Sequence, residues 1–246
     1  MKISLTNTIN ETINFAQISF ERFIPKSTQF DDIYFSDAGG IEETKHVFIK
    51  GNFLEERFNE EEFDDFVILE TGFGTGSNLL VLLNFYKELK NKPKHISFLS
   101  FEKFPLTKED FIKSLESSPL KEEAQILINA YTKNPLVSGL NEIKINDNFT
   151  LYLVIGDIAE TISLIDLTQT SKIDAIFLDG FSPKQNPQMW SSFVLKHIYD
   201  LSKEGTTLAT FTVARIVRDN LSSANFSLSK APGFGRKREM LIGKKV

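Results

Sequence analysis

The stretch FVILETGFGTGSNLL, Phe66 to Leu80, decides how the chain folds. Four apolar residues, Phe66 to Leu69, run without a polar break and end on Glu70. Glycines follow at alternate positions, Gly72, Gly74 and Gly76, and an apolar pattern with helical spacing starts at Ser77. A short continuous apolar run that stops at a Gly-rich turn reads as a strand buried on both faces. Strand, glycine turn and helix in that order bring backbone N–H groups and a helix N-terminus close to a ligand. The dinucleotide pattern G-x-G-x-x-G fails in both registers, because Ser77 or Leu79 stands where the third glycine belongs. The phosphate-binding pattern fails too, since no Gly-Lys-Ser/Thr follows.

What remains, acid-x-Gly-x-Gly-x-Gly, resembles the first motif of the S-adenosylmethionine-dependent methyltransferases. Taken alone it is also compatible with a tight turn whose glycines serve packing. Three further acids weigh against that. Glu102 ends the apolar run 96–101, where a carboxylate can accept from both ribose hydroxyls; the other reading is a surface acid beside Lys103. Asp157 follows the run 150–155 and can accept from an adenine amino group; the other reading is a helix N-cap. Asp179 ends the run 174–179. Three acids at three successive strand ends fit one ligand better than three coincidences. Glu70 would then lie near the cationic sulfonium and ammonium groups.

Outward from the turn, the rhythm is strand then helix, repeated. Strands are expected at 66–70, 96–101, 150–155, 174–179 and 206–211, with helices over 77–90, about 107–133, 187–201 and 213–224. FSLSKA and EMLIGK read as a closing antiparallel pair. The expected class is α/β: a Rossmann-like, doubly wound, mostly parallel sheet with a C-terminal antiparallel strand pair. Residues 1–60 read as a small β-rich extension covering the pocket, and 61–246 as the main domain. In the extension, INFAQISF and HVFIKGNFL suggest strands broken at Asp37, Gly39, Gly40 and Gly51. The acidic stretch EERFNEEEFDD suggests a solvated helix with Phe58 and Phe63 turned inward.

The loop after Asp179, Gly180-Phe181-Ser182-Pro183, resembles the D-P-P-Y loop of amino-methyltransferases without matching it. Methyl transfer to an amine needs a nitrogen lone pair, which the protonated amine lacks. Asp179 can accept an N–H bond and aim that nitrogen; the bland alternative is a turn residue. Phe181 and Trp190 either stack on a planar substrate or belong to the core.

The chain has 246 residues, 23 of them Phe, a formal net charge of −5 and no cysteine. Disulfides, thiol catalysis and Cys-based zinc sites are excluded. His46, His95 and His197 show no metal spacing, so no metal is expected. No apolar run reaches the roughly 20 residues that span a bilayer, and the N-terminus has no secretory pattern. A cytoplasmic location is expected. The acidic balance argues against broad electrostatic binding of nucleic acid. The cluster Arg236, Lys237, Arg238 is the best candidate for phosphate contacts, unless it is only a solvated hairpin.

Longer motifs carry a more specific resemblance. QFDDIYFS (29–36), ETKHVFIKGN (43–52), ETGFGTGSN (70–78), FEKFPL (101–106), FLDGFSPKQNPQMW (177–190), TLATFT (207–212) and GFGRKREMLIG (233–243) are similar to the methyltransferase domain of the MnmC family of tRNA wobble-uridine modification enzymes. The resemblance implies methyl transfer from S-adenosylmethionine to 5-aminomethyl-2-thiouridine at tRNA position 34. It assigns the cofactor to Gly72, Gly74, Gly76, Glu102 and Asp157 and sets Asp179 against the amine; Glu70, Phe73, Thr75, Asn78 and Lys103 are further candidates for the cofactor. It makes Phe30 and Asp31 candidate substrate or cofactor contacts, and Phe181, Trp190, Arg236, Lys237 and Arg238 stay candidate substrate contacts. Two-domain relatives also carry an FAD oxidase; no Gly-x-Gly-x-x-Gly unit follows here, which implies aminomethyl-uridine supplied by another enzyme or by an oxidase on another chain. Ser77, where relatives often have Leu, and Ala214-Arg215, where they often have smaller residues, depart from the pattern. Two other readings stay open: a small-molecule amine methyltransferase or aminopropyltransferase of the spermidine-synthase type, and a non-catalytic module that binds S-adenosylmethionine or RNA.

Overall fold

A computed structural model describes residues 3–9, 11–21, 24–34, 39–167 and 172–246; Phe35, Ser36 and Asp37 lie outside them. Strand β1 (Ser4–Leu5) precedes a small antiparallel sheet of β2 (Ile18–Glu21), β3 (Ile24–Ser27) and β4 (Asp32–Ile33). Helix α1 (Gly40–Thr44) runs into a π-helical stretch, Lys45–Lys50, and then α2 (Leu54–Glu60). From Phe66 strand and helix alternate: β5 (Phe66–Glu70), α3 (Ser77–Glu88), β6 (Ile96–Glu102), α4 (Lys108–Glu116) and α5 (Lys121–Thr132). A hairpin of β7 (Gly139–Lys144) and β8 (Phe149–Ile155) leads to α6 (Ile158–Thr161) and β9 (Ile165–Asp166), which pairs with β1. Then come β10 (Ile173–Phe177), α7 (Ser192–Leu201), β11 (Ser202–Thr210), α8 (Arg215–Ser223), β12 (Phe226–Pro232) and β13 (Glu239–Lys245).

The main sheet has the order β12-β13-β11-β10-β5-β6-β8-β7. Its five central strands are parallel, and β7, β13 and β12 run antiparallel to their neighbours. Chain order reverses between β5 and β10, which opens a crevice beyond their carboxyl ends. Side-chain alternation explains the two core layers. Phe66 and Ile68 join the layer under α3 and α5, and Val67 and Leu69 join the layer under α7 and α8. The doubly wound sheet and its closing antiparallel pair are as the sequence implies.

Four local expectations change. Residues 45–50, expected as a strand, form a π-helix. Val47, Phe48 and Ile49 are all buried, and the Phe48 ring stacks on Phe177 at 5.2 Å between centroids. Asn52 closes this stretch: its Nδ2 donates to the carbonyls of Phe48 and Ile176, and its Oδ1 accepts from Thr207. The acidic helix stops at Glu60, and Phe63 beyond it packs edge-on against Phe66 at 4.9 Å. Helix α7 starts at Ser192 rather than at Pro187, because Ser191 caps the Val194 N–H at 3.3 Å. Strand β7 was not expected; it pairs along β8, where Asn141 Nδ2 also donates to the Leu153 carbonyl.

Candidate active site

The crevice holds a cavity of about 750 Å³ whose floor is the glycine turn. A Cβ on Gly72 would lie 3.1 Å from the Asp179 carbonyl oxygen and 3.3 Å from Gly180 Cα. A side chain there would sit tightly against the turn after β10, which would have to give by a few tenths of an ångström. Thr71 Oγ1 closes the contact by donating to the Asp179 carbonyl at 2.6 Å. Gly74, with φ 54°, takes a left-handed conformation that glycine adopts without strain. Its N–H turns toward β6 and donates to Glu102 Oε2 at 2.8 Å.

Four acids define the electrostatics. Glu102 accepts from the backbone N–H groups of Gly74 and Phe104, while burial lifts its carboxyl to about 7. Asp179 accepts from Asn78 Nδ2 at 2.7 Å and from the Gly180 N–H at 2.9 Å. Burial still lifts it to about 6, with Lys237 pulling down and Glu43 pushing up. Glu70 is fully buried and held by Asn78 and Ser100. Desolvation, with Asp179 and Glu102 nearby, raises it well above the ordinary carboxylate range. Asp157 caps α6 through the Ala159 N–H at 2.9 Å and pairs with Lys103 at 2.7 Å. Both readings of Asp157 therefore meet in one side chain, since it also lines the cavity.

Aromatic rings form the opposite wall. Phe30 stacks on Phe181 at 4.6 Å, and Tyr34 meets Phe181 edge-on at 5.3 Å. The β12–β13 hairpin tip adds Phe234, Gly235, Arg236 and Lys237. Lys237, half-exposed, lies 2.7 Å from Glu43 and 4.4 Å from the Phe211 ring centroid.

The structure gathers Gly72, Phe73, Gly74, Thr75, Asn78, Glu102, Lys103, Asp157, Asp179, Phe30, Phe181, Arg236 and Lys237 around this one cavity. Others fall elsewhere. Glu70 and Gly76 lie behind the cavity wall, and the Phe73 ring turns into the core, stacked over Phe111 at 6.2 Å. Trp190 is a core residue: it is 1% exposed, and its Nε1 donates to the Phe181 carbonyl at 3.0 Å. It supports the loop and offers no face to a substrate. Asp31 points to solvent and pairs with Lys26 at 2.7 Å, and Arg238 does not reach the cavity. Thr44, Glu43 and Phe234 lie in the motifs of the resemblance but had no site role assigned, and Tyr34 belongs to the segment expected to cover the pocket. Each enters the site only when the N-terminal segment or the hairpin folds over the sheet.

The lining suits S-adenosylmethionine: a carboxylate at the end of β6 that can accept from vicinal hydroxyls, and a glycine turn whose backbone lies open to the cavity. A model of the S-adenosyl-L-methionine-dependent methyltransferase family matches residues 118–246. The tRNA 5-methylaminomethyl-2-thiouridine biosynthesis bifunctional protein MnmC of Leptospira interrogans is 49% identical over 224 residues, which cover 89% of this chain and 33% of that protein. The protein of the same name from Vibrio cholerae is 39% identical over 243 residues, covering 96% of this chain and 36% of that one. The chain thus spans about a third of the length of the curated relatives it matches. Among solved structures it is similar to MNMC2 from Aquifex aeolicus, with a TM-score of 0.71 at 24% identity over 96% of this chain and 72% of that one. A cavity built for this ligand and a family model matching more than half of the residues lead to one conclusion: the chain belongs to the S-adenosyl-L-methionine-dependent methyltransferases.

Proposed function

We propose that this enzyme methylates the primary amine of 5-aminomethyl-2-thiouridine at tRNA position 34, giving 5-methylaminomethyl-2-thiouridine. The observation that carries the reading is Asp179, a carboxylate open to the cavity beside the glycine turn and near the rings of Phe30 and Phe181. The names of the relatives, which are 39–49% identical over most of this chain, support the choice of substrate.

Glu102 would accept from the ribose hydroxyls of S-adenosylmethionine. The turn from Gly72 to Thr75 would hold its methionyl part, with Lys103 and Asp157 toward the adenine. When bound, the cofactor supplies an electrophilic methyl group. The protein's residues prepare the nucleophile. An alkylammonium ion has no lone pair, so one proton must leave the nitrogen. Each Asp179 oxygen accepts one hydrogen bond within the protein and keeps a lone pair for an N–H of the amine. Above about pH 6 the carboxylate is ionised: one oxygen can accept the proton that leaves the ammonium, and the other can accept a hydrogen bond from a remaining N–H and so aim the freed lone pair. Phe30, Tyr34 and Phe181 offer aromatic surface to a flipped-out planar base, as single-stranded RNA recognition commonly requires. The substrate carries a free amine, so an enzyme activity that unmasks or installs it must act earlier. A tRNA acceptor implies work in the cytoplasm.

The test uses S-adenosylmethionine labelled in its methyl group and bulk tRNA from cells lacking the methylation. Label is expected in RNase-sensitive material and in one wobble nucleoside. Asp179→Asn is expected to lower turnover about 10²- to 10⁴-fold. Absence of label in tRNA, with the cofactor bound, overturns the substrate assignment.

A further inference from the structure

Asn78, in the first turn of α3, has both amide hydrogens committed inside the protein. Its Nδ2 donates to Glu70 Oε1 at 2.8 Å and to Asp179 Oδ2 at 2.7 Å. Its Oδ1 accepts from the Thr44 hydroxyl at 3.0 Å. The orientation of the amide follows from chemistry once Asp179 is ionised: turned over, its oxygen would face that carboxylate, which then offers no hydrogen. Thr44, Glu70 and Asn78 are 7%, 1% and 5% exposed, so water does not substitute freely for these bonds. Glu70 is anchored in turn by Ser100, whose hydroxyl donates to Oε2 at 2.6 Å. One amide group therefore joins α1, the end of β5 and the start of the loop that carries Asp179.

We infer that Asn78 is a positioning residue: its amide, aligned by Thr44 and anchored on Glu70, holds the Asp179 carboxylate in place for the amine. In this arrangement Glu70 and the Asn78 amide are internal supports rather than cofactor contacts. The inference rests on the role given to Asp179 above.

The same bond sets the charge of Asp179. Burial favours the neutral acid, and the hydrogen bonds from Asn78 and Gly180 favour the carboxylate. The charged groups that face it are Glu43 from α1, Lys237 from the β12–β13 hairpin, and Glu70 from β5, with Glu102 beyond it on β6. Removing the Asn78 donor leaves burial less opposed, so the proton is held to higher pH.

The test is a carboxyl titration by NMR on the ligand-free protein, with ¹³C-labelled aspartate and Asp179 assigned by its loss in Asp179→Asn. The parent midpoint is expected near 6. Asn78→Ala should raise it by about one unit or more. Thr44→Val, which keeps the volume and removes the hydroxyl, should raise it by less, and Thr44→Ser should restore it. The acid limb of kcat for methyl transfer should move in the same order. An unchanged midpoint in Asn78→Ala and Thr44→Val, in proteins with native methyl spectra, overturns the inference. If Asn78→Ala does not fold, Thr44→Val and its rescue by Ser decide. The titration needs no methyl acceptor. A shifted midpoint with unlabelled tRNA therefore sinks only the substrate assignment, and an unshifted midpoint with labelled tRNA sinks only the role of Asn78.

Discussion

In the role proposed for it, Glu102 would link fold, ligand and pH. Its carboxyl is raised from 4.5 to about 7 by burial. A raised acid supports the free fold while it is protonated. That contribution is complete below the unfolded value and is lost as pH climbs through about 7. Ribose hydroxyls that donate to the carboxylate need the opposite, ionised form. Affinity for S-adenosylmethionine should therefore fall about tenfold for each pH unit below about 7, and the cofactor should raise Tm more at pH 8 than at pH 6. Calorimetric titration across that range checks the slope. Glu102→Gln should abolish the slope and weaken binding about ten- to hundredfold, the worth of hydrogen bonds to a charged acceptor. Glu102 and Asp179 were readable from sequence because each follows an apolar run directly, so strand, edge and acid are local. The partnership of Thr44 with Asn78 spans 34 residues and exists only after α1 docks. Trp190 had two open readings, and only the bond from its Nε1 to the Phe181 carbonyl separates them.

At the scale of elements, the glycine turn and the π-helix make different demands. Gly72→Ala would drive a Cβ toward backbone atoms of Asp179 and Gly180 that Thr71 holds in place. The turns must part, so cofactor affinity should drop while the far core stays intact. A binding isotherm that matches the parent would show that the close approach is dispensable. The π-helix instead depends on side-chain burial. Phe48→Ala should cost about 3–5 kcal/mol in urea unfolding, since a buried ring stacked on Phe177 leaves a cavity. The strand-helix rhythm from Phe66 onward was legible because each apolar run has its own length and punctuation. The π-helix was not: HVFIK carries consecutive apolar residues whose meaning depends on the sheet face they meet. Strand β7 was missed for a similar reason, because GLNEIK has little apolar pattern and borrows its order from β8.

At the scale of the whole molecule, a net charge of −5 sets how a polyanion could be approached. Of the two hairpin-tip cations that line the mouth, Lys237 is paired with Glu43 and Arg236 stands beside it. Arg236→Ala should raise KM for tRNA, leave cofactor affinity near that of the parent, and reduce the salt slope of binding by about one. Filter binding at several salt concentrations measures this. The order of the sheet also has a consequence in time. Strand β13 pairs with β11 on one side and β12 on the other, although it follows both in the chain. On a ribosome, the parallel strands from β5 to β11 emerge first, and the outer edge of β11 stands open. An open edge invites pairing with other chains. It is covered only when Glu239 to Lys245 arrives, so the edge stays exposed until these seven residues pair along it.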